Sequence, residues 1–497
     1  MDPTQDPRFL QDPYPTLARL RSACPVQELT DAGGRTSYLV TGYDEARQAL
    51  ADPRLSKDTG AFFADKPSRR RLHPAVSQTM LASDPPRHTR LRRLVTGAFS
   101  PGAVNRLRPY IARVTDELLD RWPADGAVDF VAALAVPLPV TVICELLGVP
   151  EGDRGRIRHW SAELFAAGEP DRIDAASHAL AEYLADLVGT RRARPGDSLL
   201  DELIAARDGE DRLGEEELAS LALLLLVAGH ETTTNFLGNA LLALLQHPAE
   251  LERLRADPGL LPGALDELLR YDSPLSQATF RYSTEPLDLG GTAVPAGVPV
   301  LVAPGAANRD PGRFPAPDRL DLSRDATGHL SFGYGIHRCP GAPLARAEAG
   351  TALRALLTRF PALRLAGPAD QLSWRRTRLV RGLVALPLLT QVPSAGPEQA
   401  GAEAGERVAQ GLGGQVGERG DGHGDGHADV EGGTLVGGRV LAVQDGDGPV
   451  PDPVVGGTVG PRLCLDRRVG LQDPDRLTLR DEQVDQPLDD HAGPFGA

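Results

Sequence analysis

Over the first 395 residues, apolar positions recur at intervals of three and four, with charged residues between them. Val104–Trp122 (VNRLRPYIARVTDELLDRW) and Ile173–Val188 (IDAASHALAEYLADLV) carry this pattern and are predicted as amphipathic helices. A longer helix is predicted between Gly214 and Pro248. Glu215, Glu216 and Glu217 suit its N-terminus, an apolar run from Leu218 to Gly229 broken only by Ser220 forms its body, and Pro248 stops it. APLARAEAGTALRALLTRF, from Ala342, predicts another helix. Strand signals are short: TSYLVTG from Thr36, and LDLGGTAVPAGVPVLVAP from Leu287 with its Gly and Pro turns. The mixture predicts a mainly α fold with small β-sheets. The 12-residue apolar run is too short to cross a membrane, and the opening MDPTQDPRFLQDPYPTL lacks the basic and apolar regions of a signal peptide.

Beyond about residue 395 the periodicity stops. Residues 396–497 hold 23 of the 54 glycines and a single aromatic, Phe495, and account for −11 of the net charge of −15. Such composition predicts a disordered tail, and His423 and His427 read as part of it rather than as a metal site. The chain has two lysines, Lys57 and Lys66, against 51 arginines, as GC-rich coding would produce. A frameshifted 3′ end is therefore a second source for such a tail. The negative balance argues against nucleic acid as a main partner. Cys24, Cys144, Cys339 and Cys464 are widely spaced with no CxxC, which indicates neither a disulfide framework nor a zinc ribbon and points to a reducing cytoplasm.

Two segments break local rules. The long helix passes through Ala228-Gly229-His230-Glu231-Thr232-Thr233-Thr234, residues that cost helix propensity. A Thr hydroxyl bonding back one turn would bend or open the helix. Gly229 would let a flat ligand lie against the backbone, and Glu231 with Thr232 would offer an acid and a hydroxyl where water is held. A simple kink with a satisfied threonine accounts for the same residues equally well. The second segment is SFGYGIHRCPGA, Ser331–Ala342. Cys339 sits among Gly333, Gly335 and Gly341, just ahead of a predicted helix whose N–H groups and dipole favour a thiolate. Phe332 would cover one side of the sulfur, with His337 and Arg338 as polar neighbours. A buried inert cysteine leaves the glycines unexplained. A Cys–His nucleophile lacks a well-placed partner, because His337 is only two residues away. An axial thiolate ligand of a haem iron uses one sulfur, an opening free of side chains, and N–H donors.

Phe332-Gly-Tyr-Gly335-Ile-His337-Arg-Cys339-Pro-Gly341 resembles the haem-binding signature of the cytochrome P450 family, FxxGxxxCxG. Ala228–Thr232 resembles the family's oxygen-activation motif, and Glu267-Leu-Leu-Arg270 its ExxR motif, in the same chain order. His88-Thr-Arg-Leu-Arg92, Ala307-Asn-Arg-Asp-Pro311 and Phe314-Pro-Ala-Pro-Asp-Arg319 have counterparts in the soluble bacterial branch. The likeness covers about residues 10–390, and the tail has no counterpart. It implies a P450 fold, with many helices around a buried haem b, in a domain of residues 1–395. Cys339 would be the iron ligand, within a loop that includes Phe332 and Gly341. His88, Arg92, Arg281 and His337 would hold the haem propionates, and the i, i+4 spacing puts His88 and Arg92 on one helix face. Glu231 and Thr232 would supply the two protons that splitting O2 consumes. Glu267 and Arg270 would form a structural ion pair with Arg319 as its third member and Arg324 as the rival.

The resemblance also implies a pocket lined by Met80, Leu81, Leu224, Val227, Ala228, Leu275, Gln277, Ala278, Leu379 and Val380. A mostly aliphatic wall suits a bulky apolar or mixed-polarity molecule. The nearest likeness is to actinobacterial members that tailor polyketides and other secondary metabolites. The chain has no GxGxxG and no cysteine cluster, so electrons would come from an acidic ferredoxin and its NAD(P)H-dependent reductase. Arg338, Arg346 and the Arg90/Arg93 face would attract that ferredoxin. A cytoplasmic, monomeric, ferredoxin-fed monooxygenase that hydroxylates or epoxidises a natural product is the leading expectation. The alternatives are a haem-thiolate enzyme of oxidative coupling or peroxide chemistry, and a non-catalytic haem sensor.

Overall fold

In the computed structural model, the central apolar run becomes a 32-residue helix buried around most of its circumference. A helix apolar on all sides belongs in a core, and this one anchors the rest. The structure describes residues 7–390 apart from 32, 65, 67–70, 165–169, 209–212 and 378. The expected tail, with His423 and His427, lies outside the described residues.

Eight helices frame the site: α1 (Tyr43–Ala51), α2 (Arg87–Thr96), α3 (Pro101–Leu119), α4 (Pro137–Leu146), α5 (Pro170–Ala193), α6 (Glu215–Gln246), α7 (Leu261–Tyr271) and α8 (Ala342–Arg359). Helix α6 packs against α4, α5, α7 and α8, and α3 lies along α8. Helix α3 starts three residues before its first strongly apolar position. There Ser100 caps it, its hydroxyl accepting the Ala103 N–H, and Pro101 occupies the first turn.

Ten short strands are described: β1 (Val26–Thr30), β2 (Thr36–Val40), β3 (Leu55–Ser56), β4 (Ala127–Asp129), β5 (Tyr282–Ser283), β6 (Leu287–Leu289), β7 (Thr292–Val294), β8 (Val300–Val302), β9 (Arg364–Leu365) and β10 (Pro387–Leu389). The predicted stretch from Leu287 resolves into β6, β7 and β8. Gly290 and Gly291, both at positive φ, make the tight β6–β7 turn. Sheet order β1-β2-β8 joins an antiparallel pair to a parallel one (Tyr38 opposite Val300), and β4-β10-β9 forms a second sheet. A two-stranded pair matters most for the site: β3 meets β5 antiparallel, with Leu55 opposite Ser283 and Ser56 opposite Tyr282.

One buried charge stands out in α8. Glu348 is 1% exposed, its Oε2 has no partner, and burial pushes its pKa from 4.5 up to about 8. The folded state therefore binds a proton that the unfolded chain releases above pH 4.5. Stability from this group is complete below pH 4.5 and lost as pH rises through about 8. Glu348→Gln should flatten the fall in urea midpoint between about pH 5 and 8, leaving the variant more stable at pH 8 by about 1–3 kcal/mol.

Candidate active site

The Cys339 loop is shaped by two glycines in left-handed backbone, Gly333 at φ 70° and Gly335 at φ 74°. They let the chain fold back so that Cys339 N–H donates to the Phe332 carbonyl at 2.8 Å. At Gly335 a Cβ would lie 2.8 Å from the Leu50 carbonyl oxygen, so the loop rests directly on the end of α1. The glycines thus serve backbone turns and loop–helix contact. Only Gly341 borders the sulfur itself, its missing Cβ position lying 3.8 Å from Sγ. The N–H groups of Gly341 and Ala342, at the start of α8, lie near enough to that sulfur to favour its charged form. Cys339 has exposed surface, yet it is enclosed enough for burial to dominate its titration.

The loop is held from behind by α7. Glu267 and Arg270 are both fully buried and paired twice, Arg270 Nε to Glu267 Oε2 at 2.6 Å and Nη2 to Oε1 at 2.9 Å. The remaining Arg270 donors reach the carbonyls of Asn308 (3.0 Å), Pro317 (2.8 Å) and Arg319 (3.4 Å), so all five N–H groups are used. Asn308 passes the restraint on. Its side chain accepts from Leu330 N–H at 2.6 Å and donates to Ser331 Oγ at 2.9 Å, while Ser331 donates to the Leu269 carbonyl. Asp266, next to Glu267, accepts from Arg346 at 2.7 Å, and the Arg346 guanidinium lies 4.5 Å from the centre of the Phe332 ring. The start of the loop is thereby tied to α7 through polar groups that are almost all satisfied.

In front of the loop, basic side chains gather. His88 on α2 is 3% exposed, its ring 4.1 Å from that of His337, and its Nδ1 has no hydrogen-bond partner. Arg92, one turn along, donates to the Arg338 carbonyl and lies within charge range of Cys339. Arg281, 3% exposed, donates to the Thr279 carbonyl at 2.8 Å, and burial holds it down to about 10. Burial, followed by Lys57, His88, Arg281 and Arg92, drives His337 far below the ordinary histidine range. Asp84 is the carboxylate beside this group. It is already engaged by Ser56 Oγ at 2.5 Å and Lys57 N–H at 3.1 Å. A buried positive excess of this kind is unfavourable until an anion meets it.

On α6 the threonines bond back as expected, Thr232 Oγ1 to the Ala228 carbonyl at 3.1 Å and Thr233 Oγ1 to that of Gly229 at 3.4 Å, without interrupting the helix. Ala228 and Thr232, one turn apart, keep exposed surface where most of the helix is buried. Glu231 Oε2 accepts from Arg375 Nη1 at 2.6 Å, and the Arg375 side chain is 20% exposed.

The cytochrome P450 family model matches residues 170–258 and 259–380. Cytochrome P450 107B1 of Saccharopolyspora erythraea is 47% identical over 390 residues, 77% of this chain and 96% of that protein. The chain is a cytochrome P450. The 6-deoxyerythronolide B hydroxylase of the same organism is 45% identical over 395 residues, 76% of this chain and 96% of that protein. Among solved structures, the tirandamycin C-bound P450 monooxygenase TamI superposes with a TM-score of 0.73 at 47% identity, covering 77% of this chain and 98% of that one. Like these relatives, this P450 is a monooxygenase acting on an organic substrate with O2 and electrons from redox partners, and its cofactor is a haem iron. Among the described residues, no helix is long and apolar enough to cross a membrane.

The residues present fit that cofactor: one sulfur just ahead of α8, its charged form favoured by nearby N–H groups, and buried basic groups with an unpartnered His88 nitrogen where carboxylates would lie. Several expectations change. Arg319 does not pair with Glu267. Its guanidinium is 70% exposed and 3.9 Å from Asp321, and it contributes only its carbonyl. Arg324 is the third member, Nε to Glu267 Oε1 at 3.2 Å, because the intervening turn brings residue 324 back over α7. At Gly229 a Cβ would sit 3.0 Å from Ile143 Cδ1, so the glycine permits the close approach of α4. The N–H groups and dipole do not make Cys339 a thiolate by themselves. Burial outweighs them and raises its pKa, although Gly341, Arg92, Ala342 and Arg338 oppose it. Arg90 and Arg346 each already pair with a carboxylate, Glu217 and Asp266.

Of the pocket positions, Leu275 bridges Val380, and Ser276 and Gln277 N–H both point to the Leu379 carbonyl, so these two segments meet. Leu81, Ala278 and Leu379 are half-buried, and Met80 and Leu224 are 5% and 4% exposed. Val227 and Val380, at 0% and 1%, are packed as core. Sequence reasoning missed Lys57, Asp84, Asn308 and Arg375. For Lys57 a signal existed, its rarity among 51 arginines.

Proposed function

We propose that this P450 hydroxylates or epoxidises a bulky secondary metabolite, such as a polyketide, in the cytoplasm, using haem b and electrons from a ferredoxin and its reductase. The observation that carries this reading is Cys339 just ahead of α8, beside the buried basic cluster of His88, Arg92, Arg281 and His337. When bound, the haem iron supplies the activation of O2. Cys339 would hold it, with Gly341 and Ala342 moderating the charge on sulfur. His88, Arg92, Arg281 and His337 would hold its propionates by charge-assisted bonds. Thr232 spends its hydroxyl proton on the Ala228 carbonyl, which leaves its lone pairs to accept and orient a proton donor. Glu231, beside it, is linked to solvent through the partly exposed Arg375. The half-buried Ala228 and the Leu275–Ala278 and Leu379 segments supply an apolar wall.

Docking of an acidic ferredoxin is supported by the outer face of the cysteine loop, where Ile336 is 53% exposed and Arg338 is exposed with no carboxylate partner among the described residues. Among the described residues, Cys144 and Cys339 are free thiols, which supports a reducing compartment. A domain of residues 1–395 is supported by the alignment of 390 residues with 96% of a relative.

Thr232→Ala tests the reaction class. Positioned proton transfer contributes about 10²–10⁴-fold. Product formed per O2 consumed should therefore fall by about 10–100-fold, with hydrogen peroxide released instead, while peroxide-driven turnover changes little. Unchanged coupling would favour oxidative coupling or peroxide-driven chemistry over oxygen insertion.

A further inference from the structure

The chain's two lysines differ sharply in setting, and the one in the cation cluster has no assigned role. Lys57 is 2% exposed and follows β3 directly, while Arg281 precedes β5 directly. The β3–β5 register carried one step further sets Lys57 opposite Arg281. Like charges directly opposed across strands are destabilising, and here both are buried. Among the described residues, Lys57 Nζ hydrogen-bonds only to the Thr279 hydroxyl, and Thr279 also gives its carbonyl to Arg281. Asp84, the adjacent carboxylate, is taken by Ser56 and by the Lys57 backbone. His88 and His337 complete the surroundings, both within charge range of Lys57. Among the described residues Asp84 is the counter-charge that acts on this lysine, but burial and Arg281 outweigh it and lower the lysine's pKa well below the ordinary range.

We propose that Lys57 is a carboxylate-binding residue of the cofactor site, pairing with a haem propionate together with Arg281; this rests on the haem b reading above. A cation held against its own desolvation, facing a second cation, gains its partner only when the dianionic edge of the cofactor arrives. Lys57 is then a residue that the fold keeps at some cost to the haem-free protein. Functional sites are where such local conflicts are expected.

The test uses the full chain loaded with haem and follows transfer of haem to an excess of a scavenging apoprotein by the Soret band. Lys57→Met should release haem on the order of tenfold faster, as expected for loss of one charge-assisted bond. Lys57→Arg should release it within about threefold of wild type. With the dimethyl ester of haem, which lacks both carboxylates, wild type and Lys57→Met should be indistinguishable. The haem-free Lys57→Met chain should also melt at a higher temperature than haem-free wild type, the opposite sign to its haem retention. Equal release rates, an acceleration that persists with the ester, or a lower melting temperature would each overturn the proposal by making Lys57 a fold residue. If Lys57→Met fails to fold, Lys57→Arg decides: fast release despite a retained charge rejects the pairing. The Soret position of the reduced CO complex reports Cys339 ligation independently, so a failed thiolate reading is not mistaken for a failure at Lys57.

Discussion

Cys339→Ser should yield a folded protein whose reduced CO complex lacks the strongly red-shifted Soret band of a thiolate-bound haem, and whose monooxygenase turnover is lost. The serine hydroxyl is close in size to the thiol and meets the same N–H groups of Gly341 and Ala342. The cost to the haem-free fold should be about 1 kcal/mol or less, since one modest hydrogen-bonding group replaces another. The cost to function should be much larger. Removing a residue that supports a metal ligand costs about 10–100-fold, and removing the ligand itself should exceed that range. Burial already pushes the Cys339 thiol upward, so it is the metal that would make it a thiolate, which a serine cannot become at neutral pH. A red-shifted band surviving in Cys339→Ser would show that another group holds the iron, and the oxygen-activation reading would fall with it.

Glu267→Ala should be the most damaging single change to the fold. It strands Arg270, which is 0% exposed, with two of its five bonds gone, and it also removes the acceptor of Arg324 and of Asp321 N–H. Breaking a buried ion pair by removing one partner costs about 3–5 kcal/mol. That is a large fraction of a typical total of about 5–15 kcal/mol. Urea unfolding of the soluble fraction should show a loss of this size, and haem incorporation should fall with it, because Asn308 and Ser331 hang from the same network. Glu267→Gln keeps the shape and one acceptor and should cost less. A Glu267→Ala protein as stable as wild type would mean that the Cys339 loop does not depend on α7.

Much of this protein was legible in local sequence. The helices at Pro101–Leu119, Pro170–Ala193 and Glu215–Gln246 follow from apolar spacing, because their burial is decided by contacts three and four residues apart. The Glu267–Arg270 pair and the His88–Arg92 face follow from the same helical geometry. The cysteine loop was readable because its glycines, N–H donors and helix start are contiguous. What tertiary structure decided is partner choice and desolvation. Arg324 rather than Arg319 reaches Glu267 because of how residues 314–325 turn, and no periodicity encodes that. Glu231 meets Arg375 across 144 residues, and Lys57 meets Arg281 through two-residue strands too short to announce themselves. At Cys339 the dipole and the N–H donors are local and favour the thiolate, but burial is imposed by the whole fold, and there it prevails.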